Sequence, residues 1–588
     1  MIVYEAPKWV PQLPNRPDNI PIGDFILNPA YGRADPNKSN PPYVCGLTGK
    51  GYSVTEVASR VEFAARAIKK VLKVDDINKG GQAAGFSEWE KVVGVYSINC
   101  IDYLPLCYAV HRVNGITSPA NAAYNADELA YQLRDSNARA LFTSVPLLDT
   151  ALQAANAEGV KIPKENIFLL PIPDVLTTEE MRRKAQGFRT FDDLVEEGKK
   201  LKEVELLSWG ESYSREKVAF VSYSSGTGGL PKGVLISHFN MITNIVQVIE
   251  YSKSFRDFTK PTRVLALLPQ SHIYALVVIN QTEPYAGNSA VVLPKFELES
   301  FLKCIQNFKL SFLFLVPPLM IVMAKNKGIL DKFDLSSVKY IMTGAAPLTE
   351  ELSLEMTKLY PWIKVVQGYG MTESSTVVCF TSGIDIWHGS SGCILPGIKC
   401  RVVNAQGQDV GENEPGELLV SADNVVIGYL NNQKANDETF IVEHGHRWLR
   451  SGDETIIKKS SSGNQHLFVV DRLKELIKIS GFQVAPAELE GHLLNHPKVA
   501  DCAVIPVPND KTGELPKAFV VLNPGFEASK ETAAEIMKWV ADHKSKHKRL
   551  GGGVEFIDAI PKSPSGKILR RLLRDKERER RKKEGAKL

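Results

Sequence analysis

The sequence predicts an α/β protein whose large first part contains a β-rich subdomain and whose last part is a smaller α+β unit. Three observations carry this expectation. Short apolar runs alternate with helical or loop segments through the first two-thirds of the chain, the pattern of largely parallel sheets. After about Gly389 the texture changes to short strands separated by Gly, Asn and Asp turns, as in "KCRVVNAQGQDVGENEPGELLV". From about Asp471 onward, helix-like runs and a plausible strand pair return.

Residues 54–73, "VTEVASRVEFAARAIKKVLK", place Val54, Val57, Val61, Ala64, Ile68 and Leu72 at helical spacing. Ser53 and Glu56 match a capping box at the start of that helix. Strands are expected at Val92–Ile98, Ala140–Ser144, Val218–Ser224, Arg263–Pro269, Ser311–Pro317 and Val338–Gly344. "FLFLVPPLMIVMA", Phe312 to Ala324, is shorter than the ~20 residues that span a bilayer. Pro317 and Pro318 break it, so it reads as a buried strand followed by a helix. In the last part, helices are expected near "PAELEGHLLNH" and "AAEIMKWVADH", and a strand pair at "DCAVIPVP" and "KAFVVLN". The charged end, "RDKERERRKKEGAKL", reads as a frayed helix followed by a tail.

A chain of 588 residues is long enough for several domains or subdomains and a real core. Hydrophobic residues make up 44% and charged residues 23%, a globular composition. The net charge of +4 is small for this length and argues against a nucleic-acid partner. None of the eight cysteines forms a Cys-x-x-Cys pair, so neither a zinc site nor a disulfide framework is indicated. The Pro-rich start lacks the apolar core of a signal peptide.

"YSSGTGGLPKGV", Tyr223 to Val234, gathers Ser, Thr and Gly ahead of one Lys. Backbone N–H groups in such a turn form an anion nest, and the hydroxyls add donors. The apolar run before it and the helix-like "SHFNMITNIVQVIEY" after it suggest a strand, turn, helix setting. A Walker A loop needs Gly immediately before Lys and Ser or Thr after it. Here Pro231 precedes Lys232 and Gly233 follows, so a P-loop is excluded on spacing. Alone, the stretch reads better as an ordinary Gly-rich turn.

Further along lie "QGYGMTE" (Gln367 to Glu373), "SGDE" (Ser451 to Glu454), "DRLKELIKISGFQVAPAELE" (Asp471 to Glu490) and "PKSPSGKILRR" (Pro561 to Arg571). Together and in this order, they and the loop resemble the adenylate-forming superfamily of acyl-CoA synthetases, peptide-synthetase adenylation domains and beetle luciferases. "LPQSHIYAL" and "TGAAPLTEEL", with the Asp471–Glu490 segment, look most like the 4-coumarate–CoA ligase branch. The resemblance covers nearly the whole chain. It implies an adenylation domain over residues 1–471, a mobile domain over 472–588, and ATP, Mg²⁺ and coenzyme A as reactants or cofactors.

The chemistry fits these residues. Joining a carboxylate to the α-phosphate of ATP brings anions together, so the site must offset repulsion and stabilise charge on phosphorus. By resemblance, Ser224, Ser225, Gly226, Thr227, Gly228 and Lys232 would hold the departing phosphates. The family commonly has a second Thr where this chain has Gly228. Tyr369 would pack on adenine, Thr372 would reach the α-phosphate, and Glu373 would bind Mg²⁺. Asp453 would accept from the ribose hydroxyls, with Arg472 on ribose or phosphate. His272, Tyr274, Met342, Gly344, Ala345 and Gly368 would line the acyl site.

The resemblance also divides the lysines. Lys567 would bridge carboxylate and α-phosphate during adenylation. Lys474 would be the hinge. Lys478, Ser480, Gly481 and Gln483 would swing in for the second half-reaction, with Lys295 near the coenzyme A nucleotide. Many family members carry Lys where this chain has Ser480. The terminal Ala-Lys-Leu resembles a peroxisomal signal, which implies the peroxisomal import receptor as partner and the peroxisome as location, or otherwise the cytoplasm. The acid expected is aromatic or phenylpropanoid-like, with a medium-chain fatty acid as the alternative. A freestanding enzyme loading a carrier protein, a luciferase-like oxygenase and a non-enzymatic binding protein are the competing functions.

Overall fold

The computed structural model describes residues 1–78, 88–224, 230–479, 482–509, 511–563 and 566–585. Ser225, Gly226, Thr227 and Gly228 of the Gly-rich loop, Ser480 and Gly481, and the terminal Ala-Lys-Leu lie outside them.

Among the described residues the strands form four sheets. A nine-stranded sheet is mainly parallel through Tyr43–Cys45, Ser289–Val292, Arg263–Ala266, Phe312–Leu315, Tyr340–Thr343 and Lys364–Met371. It turns antiparallel at Thr376–Phe380. An eight-stranded sheet holds Val92–Tyr96, Ile116–Ala120, Ala140–Thr143 and Ile167–Leu169 in parallel, with Val218–Ser224 beside Ile116–Ala120. These strands are buried along their length, as parallel strands covered on both faces require.

The β-rich subdomain follows as a five-stranded antiparallel sheet, from Lys399–Val403 to Gln465–Arg472. The last part builds its own sheet, in which Val499–Asn509 and Gly513–Leu522 pair antiparallel over most of their length. Helices Pro486–Leu494 and Lys530–His543 bury Leu489, Leu493, Ile536 and Val540 in a core of its own. The α/β class with a large and a small domain is therefore as expected. No described helix is long and apolar enough to cross a membrane.

Local signals acted as chemistry dictates. Ser53 accepts from the Glu56 N–H and Glu56 accepts from the Ser53 N–H, so the capping box starts the helix Val54–Val71. The helix ends two residues before the expected limit, and Leu72 is buried as its cap. Pro317 and Pro318 open the helix Pro317–Lys325, where a missing N–H costs nothing.

The setting of the Gly-rich loop differs from expectation. A second strand, Lys232–Ser237, follows it and runs antiparallel to Val218–Ser224, pairing Ser224 with Lys232. The helix begins only at His238, capped by the Ser237 hydroxyl. Gly233, Val234, Ile236 and Ser237 are buried, and that two-faced burial made "KGVLIS" a strand. The strands on either side of the loop therefore pair antiparallel, and the helix starts only after the second of them.

Candidate active site

"QGYGMTE" lies at the carboxyl end of Lys364–Met371, where the nine-stranded sheet changes direction. The ladder to Thr376–Phe380 is bulged between Tyr369 and Gly370. A Cβ at Gly370 would lie 1.5 Å from the Thr376 carbonyl oxygen, so only glycine permits this close return of the chain. Tyr369, Thr372 and Glu373 are all partly buried there.

The Tyr369 hydroxyl donates to Asp453 Oδ2 at 2.6 Å. Asp453 Oδ1 lies 3.6 Å from Arg472 Nε, across a ladder that pairs the two residues. Burial raises the Asp453 carboxyl pKa, while Arg472 and the Tyr369 hydroxyl hold it down. The Ser451 hydroxyl accepts from the Asp453 N–H at 3.0 Å.

Glu373 Oε1 accepts from Ser224 Oγ at 3.2 Å and from the Tyr429 hydroxyl at 2.9 Å. Lys232 Nζ lies 4.1 Å from the centre of the Tyr429 ring. Burial lowers the Lys232 pKa, Glu373 opposes that, and exposed Lys474 adds to it. A single carboxylate beside a phosphate-type loop suits Mg²⁺, which takes one or two carboxylates and completes its shell with phosphate oxygens and water.

Lys567 reaches this cluster from the small domain. Its loop is tightened by Gly566 N–H to Ser563 O at 2.8 Å and by Lys567 N–H to Ser563 Oγ at 3.2 Å. A Cβ on Gly566 would stand 3.3 Å from Val316 and 3.4 Å from Pro318, so the loop rests on the large domain. Burial pushes the Lys567 ammonium down to about 8, reinforced by Arg472 and opposed by Glu475, Asp453 and Glu373. Burial likewise pushes the His272 imidazole down to about 4, with Lys567 adding to the effect.

Tyr274 is buried and donates its hydroxyl to the Met342 carbonyl at 3.1 Å. It begins a π-helix, Tyr274–Thr282, in which Asn280, Gln281 and Thr282 each donate to the carbonyl five residues back. These bonds hold the widened turns beside the site. A Cβ on Gly368 would meet Met342 Cε at 2.7 Å, whereas one on Gly344 would sit 3.4 Å from the Tyr274 ring. Ala345 is exposed, with φ of 66°.

The structure therefore brings together Ser224, Lys232, Tyr369, Glu373, Asp453, Arg472, Lys567 and His272, with Tyr274, Met342, Gly344 and Gly368 alongside. Of the expected coenzyme A residues, the described ones, Lys295, Lys478 and Gln483, are not gathered there. Lys478 and Gln483 face each other across the hairpin of Ile477–Ile479 and Phe482–Val484, and both are exposed. Lys295 is exposed on the turn after Ser289–Val292. Sequence reasoning missed Tyr429, although "GYL" after a turn-rich stretch offered an aromatic next to a glycine. It also gave no role to Arg570, which is buried between Glu475 and Glu490.

A carboxylate, two lysines and a buried aspartate converging where a small domain meets a large α/β one is the organisation of an adenylate-forming enzyme. The chain belongs to the AMP-binding enzyme family: that family's model matches residues 82–430, and the model of the AMP-binding enzyme C-terminal domain matches residues 488–567. An acyl-CoA ligase of Alternaria alternata is 38% identical over 582 residues, covering 98% of this chain and 97% of its own. A Dictyostelium discoideum protein named "Probable 4-coumarate--CoA ligase 1" is 35% identical over 539 residues, covering 90% of this chain and 91% of its own. The fold is shared with the anthranilate CoA ligase AuaEII in complex with anthranoyl-AMP, at 22% identity and a TM-score of 0.78, over 95% of this chain and 97% of that one.

Proposed function

We infer that this chain is an AMP-forming acid–CoA ligase. The observation that carries this reading is the placing of Lys567, from the small domain, among Asp453, Arg472, Glu373 and His272. In the first half-reaction the substrate carboxylate oxygen attacks the α-phosphorus of ATP in line. The bond to the β-phosphate bridging oxygen breaks, giving acyl-AMP and pyrophosphate. Lys567 pairs with both reacting anions, and its charge counts for most when they meet.

Asp453 exchanges its Tyr369 and Arg472 contacts for ribose hydroxyls, which leaves the Tyr369 ring for the base. Thr372 takes the α-phosphate, while Ser224, Lys232 and the Gly-rich loop take the departing phosphates. Glu373 is the residue that would hold Mg²⁺, which supplies charge neutralisation on the phosphates. His272 is neutral at physiological pH and serves the acyl side as a polar, uncharged wall.

In the second half-reaction the coenzyme A thiolate sulfur attacks the acyl carbonyl, the C–O bond to AMP breaks, and the thioester and AMP result. The small domain turns about Lys474 between the halves, withdrawing Lys567 and presenting Lys478, Ser480, Gly481 and Gln483. Lys295 then meets the coenzyme A nucleotide.

An aromatic, phenylpropanoid-like acid is the substrate class. The Tyr274 ring beside Gly344 favours a flat group, and relatives with 4-coumarate and anthranilate in their names support it. The test is a panel of aromatic and medium-chain acids assayed for AMP release with coenzyme A or a carrier protein. Preference for medium-chain acids would overturn the substrate class, and transfer only to carrier protein would overturn the ligase reading.

A further inference from the structure

Tyr429 sits between two oppositely charged members of the site, and every neighbour holds it there. It lies on the short strand Gly428–Tyr429, which pairs antiparallel with Lys232–Ser237, matching Tyr429 with Val234. The Asn436 side chain clamps its backbone from both sides: Tyr429 N–H donates to Oδ1 at 2.6 Å and Nδ2 donates to the Tyr429 carbonyl at 3.1 Å. A Cβ on Gly428 would lie 2.8 Å from that same Oδ1, so the clamp needs glycine beside the tyrosine. The Phe440 ring packs at 5.7 Å, and the Tyr429 side chain is buried.

From this fixed base the ring face receives the Lys232 ammonium and the hydroxyl donates to Glu373. Ring face and hydroxyl attract opposite charges by different means, the π-cloud quadrupole and a hydrogen bond. A lysine and a glutamate this near each other favour collapse into an ion pair. Such a pair would spend the charges that the phosphates and their metal must meet.

We propose that Tyr429 is a positioning residue that holds Glu373 and Lys232 apart, the carboxylate turned to the metal and the ammonium to the phosphates. The proposal rests on the adenylation reading of the site. It makes metal binding and phosphate binding separable through one side chain: the hydroxyl serves the first and the ring serves the second.

The test compares the full-length chain with Tyr429→Phe and Tyr429→Leu. The dissociation constant of α,β-methylene-ATP is measured with Mg²⁺ and with a chelator. Loss of one hydrogen bond to a charged group should weaken binding of the Mg²⁺ complex about tenfold in Tyr429→Phe. Metal-free binding by that variant should match wild type. Tyr429→Leu should lose affinity under both conditions. Unchanged Mg²⁺-dependent binding in Tyr429→Phe, or an equal loss with and without metal, overturns the positioning role. Thermal melting of Tyr429→Phe should match wild type, and a melting loss that accounts for the weaker binding overturns it too. Acid-dependent pyrophosphate exchange by wild type is measured alongside. Its absence overturns the ligase reading alone, because the binding arms need no acid.

Discussion

Arg570 and Glu490 form a buried two-point pair, with Nη2 2.6 Å from Oε2 and Nε 3.2 Å from Oε1. Glu475 closes on the remaining Nη1, and Glu490 Oε1 also accepts from the Val504 N–H at 2.8 Å. Arg570 begins the helix Arg570–Gly585, three residues after Lys567. Glu475 follows the Asp453–Arg472 ladder, and Glu490 lies on the helix Pro486–Leu494. The guanidinium therefore ties the loop bearing Lys567 to the body of the small domain.

Arg570→Ala leaves two buried carboxylates uncompensated, which should cost about 3–5 kcal/mol in the small domain. Arg570→Lys should recover only part of it, because an ammonium cannot make the forked contact. Thermal or urea unfolding of both variants checks this. Equal stability of Arg570→Ala and wild type would show that the network is not holding the domain.

Lys567→Ala should lower acid-dependent pyrophosphate exchange by roughly 10- to 150-fold, the worth of a hydrogen bond to a charged group made in the transition state. Thioester formation from supplied acyl-AMP should persist. Unimpaired exchange in this variant would remove Lys567 from the first half-reaction.

The pH dependence has a definite sign. Docking lowers the Lys567 pKa from an ordinary 10.5 to about 8, so the docked loop disfavours the ammonium. Docking without ATP thus releases a proton between those values and becomes more favourable as pH rises through that window. The proposed first half-reaction uses the ammonium. So kcat/KM for exchange, which reports the free enzyme, should fall above about pH 8. The Lys567→Arg variant should lack that limb even if slow, because guanidinium does not titrate there. A pH profile of both enzymes decides the matter.

Gly368→Ala should raise the KM for the acid by about fivefold, the low end of the ~1–3 kcal/mol cost of overpacking, because the flexible end of the Met342 side chain can give way. The added methyl meets Met342 Cε at 2.7 Å and Phe380 Cβ at 3.3 Å. Gly344→Ala makes an ordinary contact with the Tyr274 ring and should change KM little. Adding Met342→Ala to Gly368→Ala should restore much of the loss. Steady-state kinetics of the single and double variants measure the coupling.

The α/β class, the β-rich subdomain and the last unit were legible because burial leaves a mark on local composition. Val92–Tyr96 and Phe312–Leu315 are continuous apolar runs, and the Ser53 box names its own helix start. The strand Lys232–Ser237 was not legible, since its Lys and Gly obscure the period and its partner strand decides its state. The π-helix escaped for a related reason: a side chain bonding five residues back has no composition of its own. Tyr369, Glu373, Asp453 and Lys567 were named from motifs, but the first three converge through the folding of the large domain, and Lys567 joins them only through the way the two domains meet. Tyr429 belongs to the same cluster through a contact with Glu373, 56 residues earlier in the chain.

Because the chain returns so tightly at Gly370, Tyr369 and Glu373 are carried by one bulged hairpin rather than by independent loops. That hairpin works as a ruler. The span from the Tyr369 ring to the Glu373 carboxylate is set first by the backbone between them, and side-chain rotation adjusts around that fixed distance.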